Sequence, residues 1–270
     1  MAMRAEPLAV RSSRMPLALR VFESEARVYR RVWRGSIFTS FLNPILYLLA
    51  MGVGLGSLVD ANLPAGLEGV SYLTYLAPGL LAATAMQAGA GEGAWKVRAG
   101  IKWLRTYHAK LATPIGIPAL VNGHMLWIGA RVMMVSVAFA IVITVFRVAP
   151  LWQSLAATIP ALLVGLAMGG ITTAYTVRTD SDPAIPTYFR FVVIPMFLFS
   201  GAFFPITQLP GFLQWVAFLT PLFHGVELCR TVMLGTPTAV APWISVTYLL
   251  ALAVVGMVLA VRPFRNQLLP

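Results

Sequence analysis

Charge is what this chain has least of. Only 11% of its 270 residues are Asp, Glu, Lys or Arg, against roughly 25% in soluble domains. Hydrophobic residues make up 59% and mean hydropathy is +0.79, which is the composition of a polytopic membrane protein. Cysteine is almost missing as well. Cys229 stands alone, which excludes an intrachain disulfide framework and a Cys-rich metal site.

Acids are few, and they are badly placed for ion coupling. Glu6, Glu23, Glu25, Asp60, Glu68, Asp180 and Asp182 fall in loops or tails, leaving Glu92 and Glu227 at the ends of apolar runs. Transporters driven by protons or sodium bury carboxylates inside their spans, so such a mechanism has little to run on here. The dipeptide Gly-Lys never occurs, so there is no phosphate-cradling loop and the chain does not hydrolyse nucleotide alone. His108, His124 and His224 are too far apart for a His-Glu-x-x-His zinc site, and no Gly-x-Ser-x-Gly elbow is present. No catalytic residue and no metal site are expected, and energy must come from elsewhere. No hydrophilic block is long enough for a second domain, and no signal peptide is read in the basic first residues.

What charge there is has one sign: 20 Lys and Arg against nine acids, a net +11. In so apolar a chain this is topology information rather than a nucleic-acid footprint. Residues 1–35 read as a cytoplasmic tail and a basic amphipathic helix on anionic headgroups, with Ala18, Val21, Phe22, Tyr29, Val32 and Trp33 at helical spacing between the arginines. Residues 36–265 read as one transmembrane domain with spans near 37–58, 72–90, 128–146, 155–175, 191–204 and 244–261. Pro44 lies inside the first span, Gly52 and Gly56 form a small-xxx-small pair near its end, and Pro78 is expected to kink the second. Asp60 to Gly69 carries acids and no Lys or Arg, so it is placed outside. With Arg131 left aside, seventeen basic residues fall on the inner side against Arg147 and Arg230 outside, which puts both termini in the cytoplasm.

Two stretches stand out within this frame. Glu92 to Lys110 interleaves Lys96, Arg98, Lys102, Arg105 and Lys110 with Trp95, Ile101, Trp103, Leu104 and Tyr107. That predicts a cytoplasmic surface helix over about 94–110, resting on headgroups or docking into a partner subunit. From Phe197 to Arg230 an apolar run meets Pro205 and Pro210, and a second run too short to cross a bilayer is broken at Pro221. This predicts a re-entrant hairpin over about 205–222, which survives only where it is buried in protein or lines a wet cavity. Arg131 snorkels to the inner interface or faces the pathway; its position leaves both open. Phe38, Phe41, Tyr47, Phe197, Phe199, Phe203 and Phe204 are candidates to line a path for amphipathic cargo, since aromatic faces accept sugar rings and acyl chains alike; the alternative for each is packing against helices or lipid.

Several of these residues carry a resemblance. Asn43-Pro44-Ile45-Leu46-Tyr47 with Gly52-x-Gly54-Leu55-Gly56, Tyr75-Leu76-Ala77-Pro78-Gly79-Leu80 with Ala85-Met86, Met196 to Pro205 followed by Gln208-Leu209-Pro210, and Pro221-Leu222-x-His224 with Glu227-Leu228-x-Arg230 and Met233-Leu234-Gly235 occur in family order over nearly the whole chain. In these the chain resembles the membrane subunits of ABC-2 type exporters, and among them the nodulation-factor (lipo-chitooligosaccharide) export permeases and the daunorubicin-resistance-type drug exporters. The resemblance implies an all-α, six-span ABC-2 (type V exporter) fold with an N-terminal interfacial helix, a cytoplasmic coupling helix and an extracellular hairpin before the last span. It implies a homodimer, or a heterodimer with a similar chain, carried on two ATP-binding cassette subunits that hold the ATP and Mg, with no cofactor in this chain. Glu92, Lys96, Arg98, Lys102, Trp103 and Arg105 then take the position that couples to the ATPase; the strongly basic character of that stretch departs from the family pattern. The expected function is export of a glycolipid, lipo-oligosaccharide or hydrophobic drug across the cytoplasmic membrane. A membrane-embedded enzyme on lipid-linked substrates needs a cluster of acids, histidines or a nucleophile at one depth, and a passive scaffold has no use for broken helices.

Overall fold

The computed structural model describes residues 15–62 and 70–268. Glu68 of the acidic loop and residues 1–14 of the basic tail lie outside the described residues. Within them the chain is all-helical.

The first helix, α1, runs unbroken over Leu17–Asn62. Pro16 precedes its first turn, and no proline interrupts it before Pro44. The basic amphipathic stretch and the first apolar stretch, read separately in the sequence, are therefore one rod. Gly35 between them costs a helix only about 1 kcal/mol, too little to stop it. Beyond Pro44, whose missing N–H loosens the ladder, Leu48–Leu55 widens into a π-helix.

Helix α2 (Tyr72–Gly91) begins at Ser71, whose hydroxyl accepts from the Thr74 N–H. It continues through π-turns at Glu92–Lys96 and Ala99–Trp103. Arg105 then takes a left-handed conformation (φ 51°), and the chain folds back as the short α3 (Thr106–Leu111). The 94–110 stretch is thus a helix, a tight turn and a second helix rather than one surface helix. The fold-back depends on Gly100: a Cβ there would lie 2.9 Å from the Tyr107 ring.

Helix α4 (Ile117–Val145) carries Pro118 in its first turn, where a missing N–H costs nothing. It starts well before the expected crossing at 128–146, because its early polar residues are satisfied inside the protein: His124 meets the Tyr107 hydroxyl at 3.4 Å, and Arg131 meets Glu92. Helix α5 spans Leu151–Arg178 and α6 Ala184–Phe199. The latter starts and ends earlier than the expected fifth span at 191–204, since Pro186 sits tolerated in its first turn and Gly201 (φ 82°) turns the chain after Phe199. Helices α7 (Gly211–Phe218) and α8 (Pro221–Leu234) meet at 81°. Thr220 caps α8, accepting from the Phe223 N–H, and Gly235 closes it in a left-handed turn. Helix α9 (Pro242–Leu268) is the last element among the described residues.

Among the described residues, α1, α4, α5 and α9 are long and apolar enough to cross a membrane, and the bent α7–α8 pair passes the same test together. Helix α2 mixes threonine, glutamine, glycine and proline into its apolar run and is the most enclosed of all, buried from Tyr75 to Met86 save Thr84. It crosses α5 with the two backbones in contact. A Cβ on Gly89 would sit 2.0 Å from the Gly165 carbonyl oxygen, and one on Gly93 would sit 2.5 Å from that of Gly169. Two glycine pairs at i, i+4 thus face each other, which is how helices associate when lipid offers no hydrophobic drive.

Candidate functional site

At one end of the bundle, α1, α2, α3 and α4 are joined by charge. Glu25 lies on α1 four residues after buried Val21, on the face turned into the protein, and is itself buried. Its carboxylate takes Lys96 at 2.7 Å and also Lys110. One turn before Lys96, Glu92 accepts from Trp127 Nε1 at 2.9 Å and from Arg131 Nε at 3.1 Å, and Arg131 Nη1 reaches the Tyr29 hydroxyl at 3.1 Å. Lys96 also lies over the Trp127 ring, 4.2 Å from its centroid. Buried charges are tolerable only when paired in this way. Arg131 therefore neither snorkels to water nor hangs free; it helps tie α4 to α1 and α2. Below this joint, burial, with Glu25 and Glu92 nearby, holds the Tyr107 phenol well above its ordinary range.

The six residues assigned from sequence to the ATPase-coupling position divide into an inward group of three, an outward pair, Trp103 and Arg105, and Lys102 between them. Glu92, Lys96 and Arg98 turn inward. Arg98 is 1% exposed: Nη1 donates to the Thr179 carbonyl at 2.9 Å, Nη2 to that of Ser181, and Nε lies 2.9 Å from an Asp182 carboxylate oxygen. Lys102 donates to the Asp180 carbonyl, whose carboxylate takes Gln267 from α9. Trp103, Leu104 and Arg105 are the part that faces out, with Trp103 55% and Leu104 71% exposed at the apex of the turn. Fixed charges hold the base of this segment, and an apolar, cationic tip projects from it.

At the opposite end the chain breaks twice. After α6 the carbonyls of Gly201 and Ala202 lose their helical partners, and Arg230 of α8 supplies them: Nη2 donates at 2.7 Å and 3.4 Å. The same guanidinium stacks on Tyr75 of α2, 3.8 Å from the ring centroid. This is how irregular backbone is made acceptable away from water. The break also needs Gly79, where a Cβ would lie 2.6 Å from the Ala202 oxygen. His224 Nε2 donates to the Phe218 carbonyl, which leaves Nδ1 to accept from the Ser245 hydroxyl, so the bend is tied to α9. Glu227 accepts from the Ala239 N–H. Behind the hairpin lies a cavity of about 550 Å³ lined in part by Thr207, Gln214, Phe218, Phe223, Glu227 and Arg230.

The candidate path aromatics do not all meet. Tyr47 and Phe197 lie 6.2 Å apart between ring centroids, and Phe197 and Phe203 5.0 Å, forming one cluster between α1 and the end of α6. Phe41 packs partly buried against the core, Phe204 is half-buried, Phe199 is exposed, and Phe38 is 65% exposed away from the cluster. A groove between α1, α2 and α4 adds Asn43, Gln87 and Arg131 among its lining residues. Among the described residues no group of His, Cys, Asp or Glu is placed to hold a metal ion.

Sequence reasoning missed Glu25 as an anchor and Asp182 as the partner of Arg98. Glu25 was visible as an acid in register with the apolar face of α1. Asp182 carried no signal, since nothing in sequence relates it to a residue far upstream. The glycine pairs of α2 and α5 were readable as small-xxx-small spacings.

Comparison with known proteins gives this architecture its place. The model of the ABC-2 type transporter family matches residues 20–234. Nodulation protein J of Rhizobium meliloti (strain 1021) is 31% identical over 243 residues, covering 90% of either chain. The protein of the same name from Bradyrhizobium diazoefficiens is 30% identical over 244 residues, 89% of this chain and 90% of that one. The inner membrane transport permease YadH of Escherichia coli (strain K12) is 23% identical over 223 residues, 80% of this chain and 82% of that one. The chain therefore belongs to the ABC-2 type transporter family and is a multi-pass membrane transport permease.

Proposed function

We propose that this permease is the membrane half of an ATP-driven exporter that moves an amphipathic molecule, such as a glycolipid, lipo-oligosaccharide or hydrophobic drug, out across the cytoplasmic membrane. Two copies, or one copy and a similar chain, sit on two ATP-binding subunits, which hold ATP and Mg. The observation that carries this reading is the tip at Trp103, Leu104 and Arg105. An exposed Trp-Leu pair followed by a left-handed Arg, on a base clamped by buried charges, is built to enter a pocket on another protein and pass force back through the clamp. Trp103 and Arg105, with Leu104 between them, are the contact; Glu92, Lys96 and Arg98 stiffen it, and Lys102 joins it to the 179–182 segment.

The tip and both termini lie in the cytoplasm, as the excess of basic residues at that end favours. The opposite end then faces outward, with the bent α7–α8 pair over the exit. Cargo passes along the faces of α1, α2 and α6, where the Tyr47, Phe197 and Phe203 cluster offers ring surface and Asn43 and Gln87 offer hydrogen bonds.

Copurification with the ATP-binding protein encoded beside the permease tests this directly. Wild type should form a stable complex and alter its ATPase rate. A Trp103→Ala, Leu104→Ala double variant should lose the complex while keeping its own thermal midpoint. A folded wild-type permease that binds no ATP-binding subunit overturns the reading.

A further inference from the structure

Helix α6 is held differently from its neighbours. Of its sixteen residues only Ile185, Tyr188 and Val193 are buried, and none in its last turn and a half, Ile194–Phe199. At about 1.5 Å per residue it is roughly 24 Å long, most of a bilayer's hydrocarbon depth. Along its length it is held by contacts of its rings, Tyr188 against Tyr175 and Thr172 of α5 and Phe197 against Tyr47 of α1; at each of its two ends the chain is held by a buried arginine from another element. Before the helix, Arg98 gathers the Thr179 and Ser181 carbonyls and the Asp182 carboxylate. After it, Arg230 gathers the Gly201 and Ala202 carbonyls. Trp95, one turn before Arg98, stacks on Phe189 of α6 with centroids 6.0 Å apart.

Each guanidinium holds backbone oxygen rather than one side chain, so each fixes the path of the chain as well as its charge. Arg98 sits on the segment that carries the exposed tip. Arg230 sits on α8, the second helix of the bent pair. We propose that Arg98 and Arg230 are positioning residues that make α6 a tethered rod, through which movement of the 92–103 segment is delivered to the hairpin at the other end of the bundle. For its direction of drive this rests on the ATP-coupled reading above; the tethering itself does not.

The chain has one native cysteine, which is buried, so a cysteine introduced at exposed Gln208 gives a clean thiol label on the hairpin. The first arm uses the detergent-solubilised permease alone. In a Gln208→Cys background, Arg98→Gln and the milder Asp182→Asn should both raise the maleimide labelling rate, the former about fivefold or more, a coupling typical between distant sites. Arg98→Lys should restore part of the wild-type rate. Asp182 is 56% exposed at its side chain, so its substitution leaves the core intact if Arg98→Gln does not fold. Unchanged labelling in folded Arg98→Gln, or in Asp182→Asn where the former fails to fold, overturns the proposal.

The second arm adds the ATP-binding subunit. ATP should change the labelling rate in wild type, and that change should be lost in Arg98→Gln complexes that still copurify with the ATP-binding subunit. A change that survives Arg98→Gln, or hydrolysis in wild type with no change at the hairpin, overturns the rod. If wild type forms no complex, the ATP-coupled reading falls, and the first arm still decides whether α6 is tethered as described.

Discussion

Gly89→Ala and Gly91→Ala, two residues apart on one helix, should behave in opposite ways. At Gly89 the new methyl would stand 2.0 Å from the Gly165 carbonyl oxygen, 2.7 Å from its carbonyl carbon and 2.9 Å from its Cα. An ordinary contact begins near 3.4 Å, so the two helices must part by more than an ångström. The obstruction is backbone, which cannot swing aside as a side chain does. The separation also loosens the neighbouring contact of Gly93 with Gly169. Overpacking of this kind costs about 1–3 kcal/mol, and the rigid obstruction places Gly89→Ala near the upper figure. In a chain of this size that lowers the thermal midpoint by on the order of 5–10 °C. At Gly91 nothing lies within 4 Å of the added methyl. Alanine there gains up to about 1 kcal/mol of helix propensity, so the midpoint should hold or rise slightly. Thermal unfolding of both variants in the same detergent, followed by far-ultraviolet circular dichroism, reads the difference. Equal midpoints for the two variants would refute the backbone-on-backbone packing of α2 and α5.

The charged joint makes a second prediction. Glu92→Gln strands Arg131 and should destabilise by about 3 kcal/mol, the low end for a broken buried pair since each partner keeps some solvent contact; adding Arg131→Met should recover most of the loss, whereas an additive second loss would show the pair is not coupled. Cys229 is wholly buried between α8 and α5, so maleimide should label it in sodium dodecyl sulfate and leave it untouched in the folded protein. Thr220→Ala removes the cap of α8 and its contact with Ser200 at 3.0 Å, a loss of about 1–2 kcal/mol at the bend by thermal unfolding. A midpoint indistinguishable from wild type would show that the bend does not rely on that hydroxyl.

The all-helical membrane class was legible because apolar content and scarce charge leave no other solution. Local devices were legible wherever one residue type dictates geometry, as Pro221 does in starting α8 and Gly235 in ending it. Element ends were less so. Tyr107 and His124, like Glu92 and Arg131, are well separated in the chain, and these pairings let α4 carry its polar residues inside the protein and extend back to Ile117. The surface-helix expectation over 94–110 failed at Arg105, because a left-handed arginine has no sequence signature; it is imposed by Gly100 admitting the Tyr107 ring. For the same reason residues assigned together to the ATPase-coupling position proved to be partly a buried clamp. Basic and aromatic residues at helical spacing look alike in sequence whether their partner is water, a headgroup or a carbonyl across the bundle.

The central claim is vectorial movement of an amphiphile driven by a partner's ATP. The most direct measurement reconstitutes the permease with its ATP-binding subunit in vesicles, keeps the complexes whose ATP sites face outward, and follows a fluorescent lipo-oligosaccharide into the lumen. The account predicts accumulation that requires both hydrolysable ATP and the ATP-binding subunit, and that disappears with Trp103→Ala, Leu104→Ala. Accumulation without ATP, or steady hydrolysis across a panel of glycolipid, lipo-oligosaccharide and hydrophobic drug probes with none of them moved, would contradict it.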